Sequence, residues 1–492
     1  MSHQLEVPQE KESPLRAHTA AAASAAEAFA ATSIGERARM LEAVADALDA
    51  EVDGLVTIAD EETALGPVRL RGETARTTGQ LRLFASVIRE GSYLEGTIDH
   101  ADPSLTPPRP DIRRMLHPIG PVAVFSASNF PFAFSVAGGD TASALAAGCP
   151  VIVKAHSGHP RLSHRTSEIV TAALHAAGAP EGTFATVHGR EIGRELVQDP
   201  HIRAVGFTGS LAGGRALFDL AVSRPDPIPF YGELGSLNMV LISANAVGAR
   251  GPAIAQGFAQ SFTLGVGQFC TKPGVVLIPR GSGFEEQVAA AVGQPAGAKM
   301  LTPRMAEGFQ HGLEALSASG RVRRLAGADA QPTEIGFSAP VVFVTDASDV
   351  IADPDTLLAE CFGPTSVLVR YDAHELQAIL DVLPGSLTAT IHAEASEAEG
   401  MSVIFSRLRE RAGRVVWNGW PTGVAVTWSM QHGGPWPATT SSLHTSVGAT
   451  AIRRFLRPVA YQNVPDAMLP PPIQESNPLG IPRRVDGRLR LA

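Results

Sequence analysis

A cysteine set among glycines is the residue of this chain best suited to chemistry. Cys270 lies in the segment Gly265–Gly274, which reads GVGQFCTKPG. Glycines at this spacing let the backbone turn sharply and let a substrate approach the thiol closely. Glu233, in the upstream run YGELGS, offers a carboxylate as a base. A thiol and a carboxylate predict covalent catalysis on a carbonyl group. The alternative is that Cys270 is a small buried residue, as many free cysteines are.

Short apolar runs that alternate with helical segments must position these two residues. The predicted strand and helix pairs are Val122–Phe125 with Ser135–Ala147, Val151–Val153 with Arg161–Ala177, and Ala204–Phe207 with Leu211–Val222. Strands and helices in this order predict a parallel sheet with crossover helices, hence a doubly wound α/β domain. A second α/β stretch follows from Met239 to Met430, and the first ninety residues read as helical.

Size and composition limit the function classes. A chain of 492 residues predicts two or three domains. Only 18% of its residues are charged against 44% apolar, which favours buried interfaces and a homodimer or homotetramer. The net charge of −9 argues against nucleic acid or an acidic membrane as a partner. Three widely spaced cysteines give neither a disulfide framework nor a metal site, and the N-terminus is polar, so we expect a reducing, cytoplasmic location.

Two features favour a nucleotide cofactor. Gly209 and Ser210 stand between an apolar strand and a helix, where free N–H groups and the positive end of the helix dipole suit a pyrophosphate. The alternative is an ordinary helix cap. Lys154 follows the run Val151–Val153 and so lies at the carboxyl end of a parallel strand, where open α/β sheets bind ligands. The alternative for Lys154 is a surface lysine.

Together these segments resemble the aldehyde dehydrogenase superfamily. The residues that carry the resemblance are Pro118–Pro121, Ser128–Pro131, Lys154, Phe207–Ser210, Glu233–Gly235, Gly267–Cys270 and Glu360–Pro364. The chain is most similar to the NADP-type branch that includes 2,5-dioxopentanoate (α-ketoglutarate semialdehyde) dehydrogenase. That narrower similarity rests on Thr78–Phe84, Gly138–Pro150, Asn418–Val424, Gly433–Thr439 and Thr445–Gly448.

The resemblance implies a role for each of three residues at the catalytic site. Cys270 would attack the aldehyde carbon, and the side-chain amide of Asn129 would stabilise the oxyanion together with the backbone N–H of Cys270. Glu233 would activate the water that hydrolyses the thioester. Acylating relatives, which use coenzyme A as acceptor, usually lack a carboxylate at that position, so the resemblance implies a free acid as product.

It also implies the cofactor contacts. Glu360 would bind the nicotinamide ribose, Phe362 would pack beside the nicotinamide, Gly209 and Ser210 would meet the pyrophosphate, and Lys154 the adenosine ribose.

One departure bears on the choice of cofactor. NAD-selective members carry a glutamate three residues after the lysine, where this chain has Ser157. A hydroxyl donates to the 2′-phosphate of NADP, whereas a carboxylate repels it. Arg190 lies where the family's chain passes that ribose and offers a cation, unless it is a plain surface charge. We therefore expect NADP, with NAD as the second possibility.

Substrate identity is less defined. The branch favours 2,5-dioxopentanoate, yet no arginine is recognisably placed for its carboxylate, and Lys272 points away from Cys270 in one interpretation. Aromatic residues expected at the tunnel mouth suit an aliphatic or aryl aldehyde equally well. They are Phe132, Phe134, Phe269 and Trp420. Cys149 and Cys361 are expected to be packing residues.

The resemblance predicts an α/β fold with a Rossmann-like cofactor domain, an α/β catalytic domain and a small oligomerisation arm. The cofactor domain is expected over 1–97 and 119–233, with about 440–454, and the catalytic domain over 234–439. Residues 98–118 and 455–492 would form the arm. The rival functions are a broad-specificity aldehyde dehydrogenase, a non-redox thiol hydrolase or acyltransferase, and a non-catalytic protein that kept the fold.

Overall fold

The computed structural model describes residues 14–189, 191–235, 237–293, 297–327 and 336–491. Within these ranges, no helix combines the length and the apolar character needed to cross a lipid bilayer. Arg190, predicted to lie at the adenosine ribose, falls outside the described residues.

Fifteen α-helices are found in the described ranges. They are α1 Pro14–Ala30, α2 Ile34–Ala50, α3 Val52–Thr63, α4 Pro67–Glu90, α5 Gly139–Ala147, α6 Pro160–Ala176, α7 Ile192–Gln198, α8 Leu211–Val222, α9 Ala244–Thr263, α10 Phe284–Val292, α11 Pro303–Ala318, α12 Ala347–Ala352, α13 Pro354–Leu357, α14 Leu376–Val382 and α15 Ser402–Arg411.

Nineteen strands are found in the same ranges. They are β1 Thr97–Asp99, β2 Ile112–Pro118, β3 Val122–Phe125, β4 Val151–Lys154, β5 Phe184–Val187, β6 Ala204–Thr208, β7 Phe230–Glu233, β8 Met239–Ile242, β9 Val275–Pro279, β10 Ala298–Lys299, β11 Arg323–Gly327, β12 Phe337–Ser338, β13 Val341–Asp346, β14 Thr365–Tyr371, β15 Ser386–His392, β16 Ala412–Trp417, β17 Leu456–Gln462, β18 Arg483–Val485 and β19 Arg488–Arg490.

The first sheet is parallel throughout and has the order β5-β4-β3-β6-β7. Its strands are apolar on both faces: Val122 and Val124 of β3 join one buried cluster, whereas Ala123 and Phe125 join another. Burial of both faces is typical of a parallel sheet covered by helices. The carboxyl ends of β4, β6 and β7 place Lys154, Thr208 and Glu233 at one edge of the sheet, which confirms the predicted α/β fold.

The second sheet has the order β11-β13-β14-β9-β8-β15-β16, with β11 antiparallel to its neighbour and the other strands parallel. Strand β8, next to the central strand β9, also sends alternate side chains to two buried clusters, Met239 and Leu241 to one and Val240 and Ile242 to the other. The segment that ends at Cys270 connects α9 to β9 in the middle of this sheet.

A third sheet combines distant parts of the chain in the order β17-β2-β1-β18-β19. Strand β2 pairs antiparallel with β1 and β17, and β1 pairs parallel with β18. Strands β18 and β19 thus bring the C-terminal part of the chain into this sheet.

The sequence prediction for the helix before β4 was wrong at its start. The helix begins at Gly139 rather than Ser135. The preceding residues form a loop in which the Ala127 N–H donates to the Phe134 carbonyl at 2.8 Å. That bond, and the packing of Phe134 against Phe130, hold this segment beside Cys270 instead of in the helix.

Candidate active site

Glu233 is the last residue of β7 and is almost entirely buried, with 3% of its surface exposed. Two side chains from the C-terminal part of the chain hold its carboxylate. His432 Nε2 lies 2.9 Å from Oε1, and the Ser446 hydroxyl donates to Oε2. An isolated bridge between Glu233 and Thr439 brings this distant segment to the end of β7.

Cys270 follows a segment of unusual backbone. Gly265, Val266 and Gly267 have φ angles of 57°, 59° and 65°, and the left-handed region is strained for a β-branched residue such as Val266. The side-chain amide of Asn238 then donates to the carbonyls of Cys270 and Lys272 at 2.7 and 3.1 Å. The glycines thus permit the turn, and Asn238 fixes the backbone that carries the thiol.

The thiol, the imidazole and the carboxylate form one cluster. Cys270 Sγ lies 3.5 Å from His432 Nε2, and the donor atoms of Cys270, His432 and Glu233 are all within 4.8 Å of one another. Burial raises the pKa of the Cys270 thiol well above its ordinary value, and the charge of Glu233 raises it further. Burial also acts to raise the pKa of Glu233, but the interactions with His432, Ser446 and Cys270 outweigh it and hold that pKa below its ordinary value. The resting arrangement is therefore a protonated sulfur beside an ionised carboxylate.

Asn129 lies beside this cluster. Its side-chain amide donates to the carbonyl of Gln268 at 2.9 Å, two residues before the cysteine. The second N–H of the amide is available to an oxygen atom near Cys270. The structure therefore brings together the three residues predicted for catalysis.

The predicted cofactor residues also lie along one edge of the first sheet. Phe125 of β3 is paired on one side with Lys154 and on the other with Phe207, just before Thr208, Gly209 and Ser210. The Ser210 side chain caps α8 by accepting from the Gly213 N–H at 3.3 Å. Residues 209–213 are exposed, so the free N–H groups of the first helical turn face an open edge. An anion-binding helix start near a lysine fits a dinucleotide.

The remaining predicted cofactor residues are placed as follows. The carboxylate of Glu360 lies against Gly235, two residues after Glu233, so closely that a side chain at Gly235 would collide with it. Phe362 is half-buried in the loop between α13 and β14. Ser157 is exposed in the turn after β4.

Of the four aromatic residues predicted at the tunnel mouth, the structure places two beside Cys270. Phe134 lies 6.4 Å from the His432 ring, and Phe269 packs edge-on against Phe130 at 5.1 Å. The other two lie elsewhere: Phe132 belongs to the buried core around α2 to α4, and Trp420 packs against Phe258 and His392. Phe130, which was not singled out from the sequence, replaces them.

Four further residues near the site were not predicted from the sequence. His432 and Ser446 lie in or next to the segments Gly433–Thr439 and Thr445–Gly448, which were recognised only as markers of the branch. Arg69 and Arg76 of α4 lie over the aromatic residues near Cys270, a placement that the sequence did not indicate.

Lys272 does turn away from Cys270. Its ammonium group donates to the carbonyls of Cys361 and Thr365 at 2.9 and 2.7 Å. Cys361 and Cys149 are buried packing residues, and burial raises the thiol pKa of each to about 11.

Comparison with known proteins agrees with this geometry. The model of the aldehyde dehydrogenase family matches residues 2–459. Alpha-ketoglutaric semialdehyde dehydrogenase 2 of Azospirillum brasilense is 47% identical over 474 residues, which cover 95% of this chain and 90% of the relative. Alpha-ketoglutaric semialdehyde dehydrogenase of Acinetobacter baylyi is 44% identical over 459 residues, covering 92% and 87% of the two chains.

Among solved structures, aldehyde dehydrogenase C of Pseudomonas syringae, a C291A mutant with NAD+ and octanal, superimposes with a TM-score of 0.74. It is 21% identical, and the match covers 91% of this chain and 88% of that one. An aldehyde dehydrogenase structure from Burkholderia cenocepacia gives a TM-score of 0.75 at 21% identity, with 92% of each chain covered. The fold, the site and the similarity over nearly the whole sequence lead to one conclusion: this chain belongs to the aldehyde dehydrogenase family.

Proposed function

We propose that this protein oxidises 2,5-dioxopentanoate to 2-oxoglutarate with NADP and water. The observation that carries the proposal is the cluster of the half-buried Cys270 with the buried His432 and Glu233, beside the Asn129 amide. The names of the Azospirillum and Acinetobacter relatives support the substrate.

In the first half of the reaction, the Cys270 sulfur forms a bond to the aldehyde carbon after its proton has passed to Glu233 or His432. The carbonyl oxygen gains negative charge, which the Asn129 amide and the Cys270 N–H stabilise; one such donor is typically worth about 3 kcal/mol in the transition state. Bound nicotinamide supplies the acceptor for the hydride that leaves this carbon. Cys270 is then held as a thioester.

In the second half, a water molecule must be deprotonated next to the thioester. Glu233 is ionised because its interactions with His432 and Ser446 hold its pKa low. It accepts the proton of water as the new C–O bond forms, and the C–S bond breaks to return the Cys270 thiolate. The proton taken from the thiol in the first half is released to solvent before this step, and Glu233 then passes its new proton to the thiolate. The products are the free carboxylic acid, reduced cofactor and one proton, so the oxidation balances.

The preference for NADP rests on Ser157. This residue is exposed in the turn after Lys154, where a carboxylate would repel a 2′-phosphate. Ser157→Glu is expected to raise the KM for NADP about tenfold or more and to leave the KM for NAD unchanged or lower. An unchanged ratio between the two cofactors would argue against this placement of the adenosine ribose.

We further propose a homodimer or homotetramer that works in the cytoplasm. The third sheet, built from residues 97–118 and 456–490, supports an oligomerisation arm next to separate cofactor and catalytic units. A catalytic thiol together with two other free cysteines supports a reducing compartment.

The proposal is tested by the formation of reduced nicotinamide with 2,5-dioxopentanoate, succinic semialdehyde, hexanal and benzaldehyde, each with NADP and with NAD. We expect the highest kcat/KM with 2,5-dioxopentanoate and NADP, and none in Cys270→Ala. Turnover of the neutral aldehydes alone would instead identify a broad-specificity aldehyde dehydrogenase.

One observation favours a second candidate, a thiol hydrolase without redox chemistry. A thiol, an imidazole and a carboxylate in contact are also what cysteine hydrolases use. Hydrolysis of an activated ester without cofactor, combined with no cofactor-dependent oxidation of any aldehyde in the panel, would favour this candidate.

A further inference from the structure

Two arginines of α4 line the aromatic wall that leads to the catalytic cysteine. Arg69 and Arg76 are seven residues apart, two helical turns, and therefore lie on the same face of the helix. The Arg69 guanidinium lies 5.1 Å from the Phe269 ring, next to Cys270 in sequence. The Arg76 guanidinium lies 5.3 Å from the Phe134 ring, which neighbours His432.

The two guanidinium groups are only partly compensated within the protein. Arg69 donates one hydrogen bond, from Nη2 to the Asn129 carbonyl at 2.7 Å. In Arg76, Nε and Nη2 are closed off from solvent and have no hydrogen-bond partner among the described residues. Neither side chain forms an ion pair with any carboxylate in the described part of the chain.

Glu73, a carboxylate of the same helix, acts on both guanidinium groups through its charge but forms no hydrogen bond to either, and its Oε2 has no partner among the described residues. Glu73 accepts the backbone N–H groups of Phe132 and Ala133 through Oε1, at 2.8 and 3.1 Å. Burial raises the pKa of this carboxyl, which weakens it as a counter-charge for Arg69 and Arg76.

A third cation near the cysteine, Arg414, already uses most of its hydrogen-bond donors. Arg414 of β16 donates to the carbonyls of Pro421 and Gly423 and so holds the loop after its strand. Arg414 leaves only its Nε without a partner among the described residues, whereas Arg76 leaves both Nε and Nη2 unpartnered, so Arg76 offers more unused buried donors on the wall of the site.

Arg76 also acts on Cys270 at a distance. Its positive charge opposes the rise in the thiol pKa that burial and Glu233 cause. Arg76 lies over the Phe134 ring, the centre of that ring is 6.4 Å from that of His432, and His432 Nε2 is 3.5 Å from Cys270 Sγ. The guanidinium therefore lies on the wall that a short substrate bound at the sulfur would face. In 2,5-dioxopentanoate, the aldehyde and the carboxylate stand at opposite ends of a five-carbon chain.

A buried guanidinium with unused donors is costly unless an anion completes its hydrogen bonds. Planar guanidinium groups bind carboxylates through paired hydrogen bonds. We propose that Arg76, with Arg69 beside it, binds the carboxylate of the semialdehyde while its aldehyde carbon is held at Cys270. This inference rests on the proposed oxidation of a semialdehyde and names the residues that select its charged end.

The test compares a charged and a neutral aldehyde of the same length in one variant. Arg76→Met is expected to lower kcat/KM for 2,5-dioxopentanoate about 100-fold, mainly through KM, because a buried charge partner is lost. For pentanal, kcat/KM should fall much less, because only the rise in the thiol pKa on loss of the Arg76 charge affects it. Arg76→Lys keeps the charge without the planar fork and should lie between Arg76→Met and the wild type.

A matched control is available on the same helix. Arg71 is half exposed and pairs with Asp53 at 2.6 Å, so Arg71→Met should leave both substrates unaffected. An equal loss for both aldehydes in Arg76→Met would overturn the inference, because it would mean that Arg76 serves the fold or Cys270 alone. If Arg76→Met does not fold, the same comparison in Arg76→Lys decides.

Failure of the proposed function is separable from failure of this inference. If the wild type does not oxidise 2,5-dioxopentanoate, the proposed function is wrong, and 2-oxoglutarate is then used as a competitor against pentanal. Inhibition that weakens about tenfold or more in Arg76→Met would still support a carboxylate site. Absence of inhibition in the wild type, or equal inhibition in the variant, would overturn it.

Discussion

At the scale of single residues, the site depends on opposite pKa shifts in two neighbours. Burial and the charge of Glu233 raise the pKa of Cys270, whereas the interactions with His432 and Ser446 lower the pKa of Glu233 despite burial. At neutral pH the sulfur is therefore protonated and the carboxylate ionised. Since the thiolate is the reactive form of a cysteine, we expect the resting Cys270 to be a weak nucleophile.

The alkylation rate of Cys270 by iodoacetamide tests this arrangement. In the wild type the rate should be low at pH 7 and rise into the alkaline range. Glu233→Gln removes a negative charge, lowers the pKa of the thiol and should raise the rate at pH 7 about tenfold. Cys270→Ala is the control, because Cys149 and Cys361 are buried and their pKa is about 11. A slower reaction in Glu233→Gln would show that Glu233 generates the thiolate in the resting enzyme.

At the scale of elements, a buried ion pair joins two segments that are far apart in sequence. Arg454, 2% exposed in its side chain, lies 2.8 Å from Asp140 at the start of α5, and it also donates to Ser143. Removal of the arginine leaves a buried carboxylate without its partner. This lowers the free energy of unfolding more than the replacement of both partners by apolar residues would.

Arg454→Met is therefore expected to lower the free energy of unfolding by about 3 to 5 kcal/mol. The neighbouring Arg453 supplies the control: its side chain is 52% exposed and pairs with Glu95 at 3.1 Å. Arg453→Met should cost less than about 1 kcal/mol. Urea unfolding followed by tryptophan fluorescence measures both, and equal losses would contradict the importance of the buried pair.

Strands and helices could be predicted where they follow from a local sequence pattern. The strands that end at Lys154 and Thr208 follow from short apolar runs before a turn, and helix α8 begins and ends as predicted. The residues of the site that come from distant segments could not be predicted. His432 is brought to Glu233 by the segment that follows it, which bridges to Glu233 at Thr439, and Arg76 reaches the site through the packing of α4 against the Phe130 loop.

At the scale of the whole molecule, the third sheet has two open edges. Strands β17 and β19 end the sheet without a further neighbour among the described residues. Leu489 in β19 and Leu491 just after it are 62% and 77% exposed in the single chain. Open edges and exposed leucines favour pairing with another copy.

Sedimentation equilibrium should accordingly give two or four times the chain mass of 51.5 kDa. Leu489→Asp, which puts a charge on that edge, should shift the distribution towards the monomer. Val403→Asp, at a residue 65% exposed on α15, is the control and should leave the mass unchanged. A monomeric wild type would refute the oligomerisation arm.

The proposed reaction depends on a covalent intermediate at Cys270. The most direct measurement mixes Glu233→Gln rapidly with 2,5-dioxopentanoate and NADP, follows reduced nicotinamide, and then determines the mass of the protein and of its peptides. We predict a burst of about one reduced cofactor per chain, little further turnover, and a single acyl group on the peptide that contains Cys270. Continued oxidation by Cys270→Ala, or an acyl group on another residue, would contradict the account.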